Sequence, residues 1–193
     1  GPYSQFNHIT TKGFFTQNVN NNEPYYVYFY RADCSDCSKI EDLISNFAKE
    51  NNVFFINTKE DSSDNKISSF DWSKFNTEND IEIGTVDKNN NIVYYDGESK
   101  EKYTNCTETN QFGKTKKYEI VIADEKYLET NKNARIGYAY ASLLTPEIDY
   151  SNLGIHSSVE LAGVPTLLKI DGYSVEDYYY DVEDITNFIN SLN

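Results

Sequence analysis

A run of six aromatic and β-branched residues, Tyr25-Tyr-Val-Tyr-Phe-Tyr30, is followed closely by Cys34-Ser-Asp-Cys37. No other feature constrains the chain as strongly. The run is apolar at consecutive positions, which suits a strand buried on both faces. From Cys34 the period changes. Ile40, Leu43, Ile44 and Phe47 recur at helical spacing and are opposed by Lys39, Asp42 and Lys49. Two thiols therefore stand where a strand gives way to a helix. A helix N-terminus offers unpaired N–H groups and a positive dipole end, both of which stabilise a thiolate. A second thiol three residues on is within reach to resolve a mixed disulfide. This is the arrangement that thiol–disulfide exchange requires.

The surrounding pattern extends the junction into β–α–β. Asn51-Asn52 stops the helix, and Val53-Phe-Phe-Ile56 reads as a second buried strand, parallel to the first through a right-handed crossover. Near the far end, Gly163-Val164-Pro165-Thr166 leads into a strand over Leu167–Ile170. Asp171-Gly172 signals a hairpin turn into an edge-like strand, Val175–Tyr180. Asp181 then opens an amphipathic helix with Ile185, Phe188, Ile189 and Leu192 on one face. Val159–Ala162 reads as the close of a helix.

Elsewhere the signals are weaker. Residues 1–22 are polar, with a weakly marked helix over His8–Gln17 and a loop at Asn18–Asn22. Glu60–Ser69 reads as a loop and Phe70–Phe75 as a turn of helix. Ile81–Val86 and Ile92–Tyr95 flank Asp87–Asn91 as a β-hairpin, and Lys117–Ala123 is a strand. The apolar run Ala134–Leu144 fits helix and strand alike.

Composition excludes several classes. The formal net charge of −14 argues against nucleic acid, which needs clustered Lys and Arg, and against docking on anionic lipid heads. Its plainer reading is solubility. No run of about 18 apolar residues is present, so no membrane span is expected. Three cysteines are too few for a disulfide scaffold. Abundant Asn, Lys and Tyr with no Met point to an AT-rich bacterial genome. No signal peptide is visible; Gly1-Pro2 reads as the remnant of a cleaved tag, with the native N-terminus and any anchor removed. At 193 residues the chain suits one ordinary domain, or a small domain carrying a large insertion.

Val27-Tyr-Phe-Tyr-Arg-Ala-Asp-Cys34-Ser-Asp-Cys37, the distant Gly163-Val164-Pro165-Thr166, and the strand pair and helix that follow together resemble the thioredoxin superfamily. The resemblance implies an α/β thioredoxin-like fold, a mixed central sheet flanked by helices. Residues 25–60 and 148–193 would form it, with an N-terminal segment over 1–24. It also implies thiol–disulfide oxidoreduction on protein substrates, with a redox partner protein, no cofactor and no metal. Cys34 would be the exposed attacking thiol and Cys37 the more buried resolving one. Pro165 would follow a cis peptide bond, and Val164-Pro165-Thr166 would meet an extended substrate segment. The setting implied is extracytoplasmic.

The chain also departs from common members. Asp33 stands where they have an aromatic residue, Ser35-Asp36 replaces Gly-Pro or Pro-His, and Tyr28 occupies the place of a buried acid. From Cys37 to Pro165 is 128 residues, against a few dozen in a plain thioredoxin. A large mixed α+β insertion over 61–147 is therefore expected, between the second strand and the Pro165 half.

Asp33 and Asp36 oppose the helix dipole at Cys34 by disfavouring a second negative charge, with Arg31 and Lys39 as candidate offsets. The expected result is a couple nearer to thioredoxin than to the strongly oxidising Dsb-type enzymes. Other readings stand beside this one. The CxxC could be a structural disulfide on an accessory module that binds a partner through the insertion. A zinc site would need further ligands, for which His8, His156 and Cys106 lack suitable spacing. Cys106 is either an unpaired loop thiol or a third redox thiol. Tyr178-Tyr-Tyr180 reads as strand residues on alternating faces.

Overall fold

A computed structural model describes residues 1–17, 23–59, 64–154 and 157–193. The chain is mixed α/β. In chain order a 3-10 turn at Thr11–Gly13 precedes β1 (Tyr25–Tyr30), α1 (Ser35–Lys39), α2 (Glu41–Glu50), β2 (Val53–Asn57) and β3 (Ile67–Ser69). Next come α3 (Trp72–Asn79), β4 (Ile81–Val86), β5 (Ile92–Tyr94), α4 (Lys100–Thr104), β6 (Tyr118–Ile122), α5 (Glu125–Thr130) and β7 (Tyr138–Leu143). The chain ends with β8 (Val159–Leu161), β9 (Thr166–Asp171), β10 (Ser174–Tyr180) and α6 (Asp181–Ser191). It divides into two compact units, residues 1–70 with 148–193, and residues 71–147.

In the first unit a four-stranded sheet has the order β10-β9-β1-β2, with β1 parallel to β2 and antiparallel to β9. β1 is central, and all six of its residues are buried. That is why its sequence shows no alternation. Tyr26, Tyr28 and Tyr30 share an apolar cluster with Phe55, Ile40, Ile44, Phe47, Ile185 and Ile189, so this face is covered by the helices. On the opposite face, Tyr25 Oη donates to the Phe14 carbonyl at 2.6 Å, and Phe14 packs near Phe29.

Several expectations are corrected in this unit. The helix expected over His8–Gln17 shrinks to one 3-10 turn, because the chain before it is extended along β2. Phe55 N–H donates to Asn7 O, and Ile9 N–H to Phe55 O. Thr11 is then tied to residues 64–66 through both its N–H and its hydroxyl. Val159–Leu161 is a strand, not a helix end, and Ile67–Ser69, expected as loop, pairs with it in parallel. Neither three-residue segment is long enough to display a period, and each finds its partner some ninety residues away. Leu192 falls beyond α6 and is 53% exposed, outside the apolar face assigned to it. The loop expected at Asn18–Asn22 lies outside the described residues.

The second unit holds an antiparallel sheet, β5-β4-β7-β6. The hairpin around Asp87–Asn91 forms, with Asn90 in the left-handed region at φ 63°. Pairing on both sides makes Tyr138–Leu143 a strand, which resolves the ambiguity of that run. The helical turn read at Phe70–Phe75 is α3, capped by Asp71, whose side chain accepts from Lys74 N–H. Helices α4 and α5 went unread in the sequence. Their caps Ser99 and Asp124, accepting from Lys102 and Tyr127 N–H, were the available signal. Buried Asn76 donates to Asp80, which also accepts from the Leu143 N–H and from Tyr127 Oη, and this ties α3, α5 and β7 together.

Candidate functional site

Cys34 and Cys37 form a disulfide where the chain leaves β1 for α1. Cys34 is the helix N-cap. Its Sγ accepts the Cys37 N–H at 3.1 Å, so a sulfur takes the role usually filled by a Ser or Asp oxygen. Its carbonyl accepts from the Ser38 N–H at 3.1 Å and from Ser38 Oγ at 3.2 Å. The two cysteines are 7% and 5% exposed, so burial barely distinguishes them. What distinguishes them is the surroundings of the Cys34 sulfur.

Sheet register brings the Pro165 segment to this sulfur. Thr166, the first residue of β9, pairs with Phe29 near the end of β1, so the residues just before Thr166 lie beside the chain leaving β1. The Val164–Pro165 peptide bond is cis. The Val164 carbonyl oxygen lies 3.7 Å from Cys34 Sγ, in place to accept from a thiol there. Buried Thr166 donates through Oγ1 to Gly163 O at 2.6 Å, which ties the segment to the strand it enters.

The two acids beside the cysteines are not free charges. Asp33 pairs with Arg31 at 3.3 Å and with Lys59, whose hydrogen bond is the main cause holding the Asp33 carboxyl below its usual range. Asp36 pairs with Lys39 at 2.8 Å, which raises the Lys39 pKa. The repulsion expected at Cys34 is thereby offset in part by three cations. Lys59 escaped the sequence reading for a topological reason. β1 and β2 are parallel, with Tyr30 opposite Asn57, so the residues that follow each strand become neighbours. Lys59 is thus brought to Asp33 across 26 residues.

Tyr28, standing where an acid would be expected by resemblance, is fully buried in the cluster that also contains both cysteines and Tyr3. Its hydroxyl and that of Tyr3 interact with one another, yet neither makes a well-formed hydrogen bond. Burial pushes both phenols far above the ordinary tyrosine value, so they stay protonated. A protonated phenol is a hydrogen-bond donor and no base. Tyr3 was missed in the sequence because nothing local marks its docking on Phe55, where the rings stack at 4.8 Å.

His8 Nε2 is 2.7 Å from Tyr30 Oη. Cys106 is a partly exposed thiol of the 71–147 unit, and His156 lies outside the described residues. Among the described residues no group of three or more His, Cys, Asp or Glu side chains could hold a metal ion. Tyr178 meets Tyr150 at 5.4 Å and Tyr179 stacks on Phe188 at 3.9 Å. Adjacent tyrosines of β10 therefore pack against different partners. Comparison with protein-family models, with curated proteins and with solved structures returned no match to this chain.

Proposed function

We propose that the protein is a thiol–disulfide oxidoreductase acting on protein substrates. In this reading residues 1–70 with 148–193 are a thioredoxin-like domain, and residues 71–147 interrupt it. One observation carries the proposal: a Cys34–Cys37 disulfide whose first sulfur caps a helix, with the Val164 carbonyl oxygen 3.7 Å from that same sulfur. A disulfide that only braced the chain would need no such surroundings.

The reduced form is the starting point of the chemistry. The Cys34 thiolate, stabilised by the Cys37 N–H, attacks one sulfur of a substrate disulfide and displaces the other as a thiolate. The Cys37 thiolate then attacks Cys34 Sγ and releases the second substrate thiolate. The substrate gains two electrons, and the protein ends as the Cys34–Cys37 disulfide. A dithiol reductant, in practice a partner protein, must reverse that oxidation. Run backwards, the same steps oxidise a substrate dithiol.

The test uses the reduced protein in an insulin-reduction assay, with C34S as control, together with trapping by C37A. The proposal expects turnover abolished by C34S, and mixed disulfides accumulating on C37A that dithiothreitol releases. A wild-type protein no faster than free dithiothreitol, with nothing trapped on C37A, overturns it. The burial of both cysteines favours a second reading, a bracing disulfide on a module that binds a partner. That reading expects this null result, and a Cys34–Cys37 bond that resists reduction until the protein unfolds.

A further inference from the structure

The segment that presents the Val164 carbonyl to Cys34 is gripped from the junction of β10 and α6. The Asp181 N–H donates to Pro165 O at 3.0 Å. To do so Asp181 adopts φ +75°, a left-handed conformation that a residue with a side chain disfavours. Its own carboxylate accepts the Val182 N–H at 2.8 Å, and the Tyr180 N–H donates to Asp184 Oδ2 at 3.1 Å, so the turn is held from both sides. The Tyr180 ring covers Gly163. A Cβ placed on that glycine would come 3.1 Å from Tyr180 Oη and 3.2 Å from its Cε1. A strained residue kept beside a reactive group is a pointer to function.

We propose that Tyr180 and Asp181 are positioning residues of the Cys34 site: together they clamp Gly163–Pro165 so that the Val164 carbonyl stays against Cys34 Sγ. The inference rests on the thiol–disulfide reading above. Its chemical consequence has a definite sign. A carbonyl oxygen accepts a hydrogen bond from the Cys34 thiol but has an unfavourable interaction with the thiolate, so the clamp favours the protonated form. Loosening it favours the thiolate, stabilises the dithiol and makes the couple more oxidising. The charged side chains paired next to the cysteines, Arg31, Asp33, Asp36, Lys39 and Lys59, are all retained in the Gly163 and Tyr180 variants, as is Asp181, whose charge together with that of Asp36 acts on the Tyr180 phenol.

The experiment compares Y180A, Y180F and G163A with wild type, all fully reduced. The rate of Cys34 alkylation by iodoacetamide is followed against pH by peptide mass. Y180A removes the ring and G163A pushes it away, so the two change local volume in opposite senses. Both are expected to raise the thiolate fraction below its midpoint about threefold, the size of losing one weak hydrogen bond. Y180F, which keeps the ring, restores the wild-type profile. Profiles of Y180A and G163A that superimpose on wild type, in natively folded protein, overturn the proposal. So does a shift in Y180A alone, as added solvation would produce. If Y180A does not fold, G163A decides; if G163A does not fold, Y180L, which removes the ring but keeps apolar bulk against solvent, takes its place. The alkylation profile needs no turnover, so an inactive wild type with shifted variants removes the enzyme reading and leaves the clamp standing.

Discussion

Lys59, two residues beyond β2, pairs with Asp33, the residue before the first cysteine. The pair, with Arg31, offsets the charge of Asp33, which unpaired would oppose a thiolate at Cys34. K59Q leaves Asp33 only Arg31, which should lower the Cys34 thiolate fraction at a given pH and make the couple more reducing. D33N should do the reverse, since two cations then lack their acid. Both changes are expected at about two- to fivefold in low salt, shrinking as ionic strength rises, because all these groups are exposed. Equilibration against glutathione buffers at two salt concentrations checks the sign. Shifts in the same direction for both variants would exclude a charge effect.

Ile185 and Leu192 looked equivalent in the sequence, yet only Ile185 is buried in the cluster that contains the cysteines. I185A should cost about 2–5 kcal/mol of unfolding free energy. L192A should cost under about 0.5 kcal/mol. Urea denaturation with equal slopes for both variants provides the comparison, and a large loss in L192A would show that its exposure has been misjudged.

Gly84 sits where β4 carries a register irregularity opposite β7 and meets β5 on its other side. A Cβ there would overlap the Val93 carbonyl and stand 3.1 Å from Tyr94 Cα. G84A is therefore expected to destabilise the 71–147 unit by about 1–3 kcal/mol. Hydrogen exchange of the β4 and β5 amides should quicken, while amides of β1 and β9 keep their protection. Unchanged exchange in β5 would mean that the strands can part at little cost.

Glu82 joins three side chains of the second unit. Tyr95 Oη donates to it at 2.7 Å, Arg135 at 2.9 Å and Tyr140 Oη at 3.2 Å. Burial alone would raise its pKa, but these three donors and the Arg135 charge together hold it below the usual glutamate value. A carboxyl with a depressed folded-state pKa stabilises the fold above its unfolded pKa, about 4.3. That contribution is lost as pH falls through the folded value. E82Q should thus be less stable than wild type at neutral pH by no more than about 1 kcal/mol, and the gap should close below about pH 4. Thermal melts across that range would detect it, and a gap independent of pH would point to lost packing instead.

Much of the architecture was legible because each piece is a local pattern. The unbroken apolar run of β1, the helical stripe of α2, the Asp171-Gly172 hairpin and the turn between β4 and β5 all declare themselves within ten residues. Short strands such as β3 and β8 do not, since three residues carry no period and their pairing is set by distant chain. Tyr3 and Lys59 were unreadable for the same reason: each is ordinary in its own neighbourhood and acquires its part only by docking on β2 or next to Asp33.

At the cysteines the division is clear. The local pattern places Cys34 and Cys37 together at a strand-to-helix junction, because three residues of helix suffice to bring the two sulfurs together. What those sulfurs face depends on pairing between distant parts of the chain. The pairing of β1 with β9 carries the Val164 carbonyl across 130 residues to Cys34. The parallel pairing with β2 supplies the cation that answers Asp33. Sheet register, which no local period records, sets the surroundings of the two sulfurs.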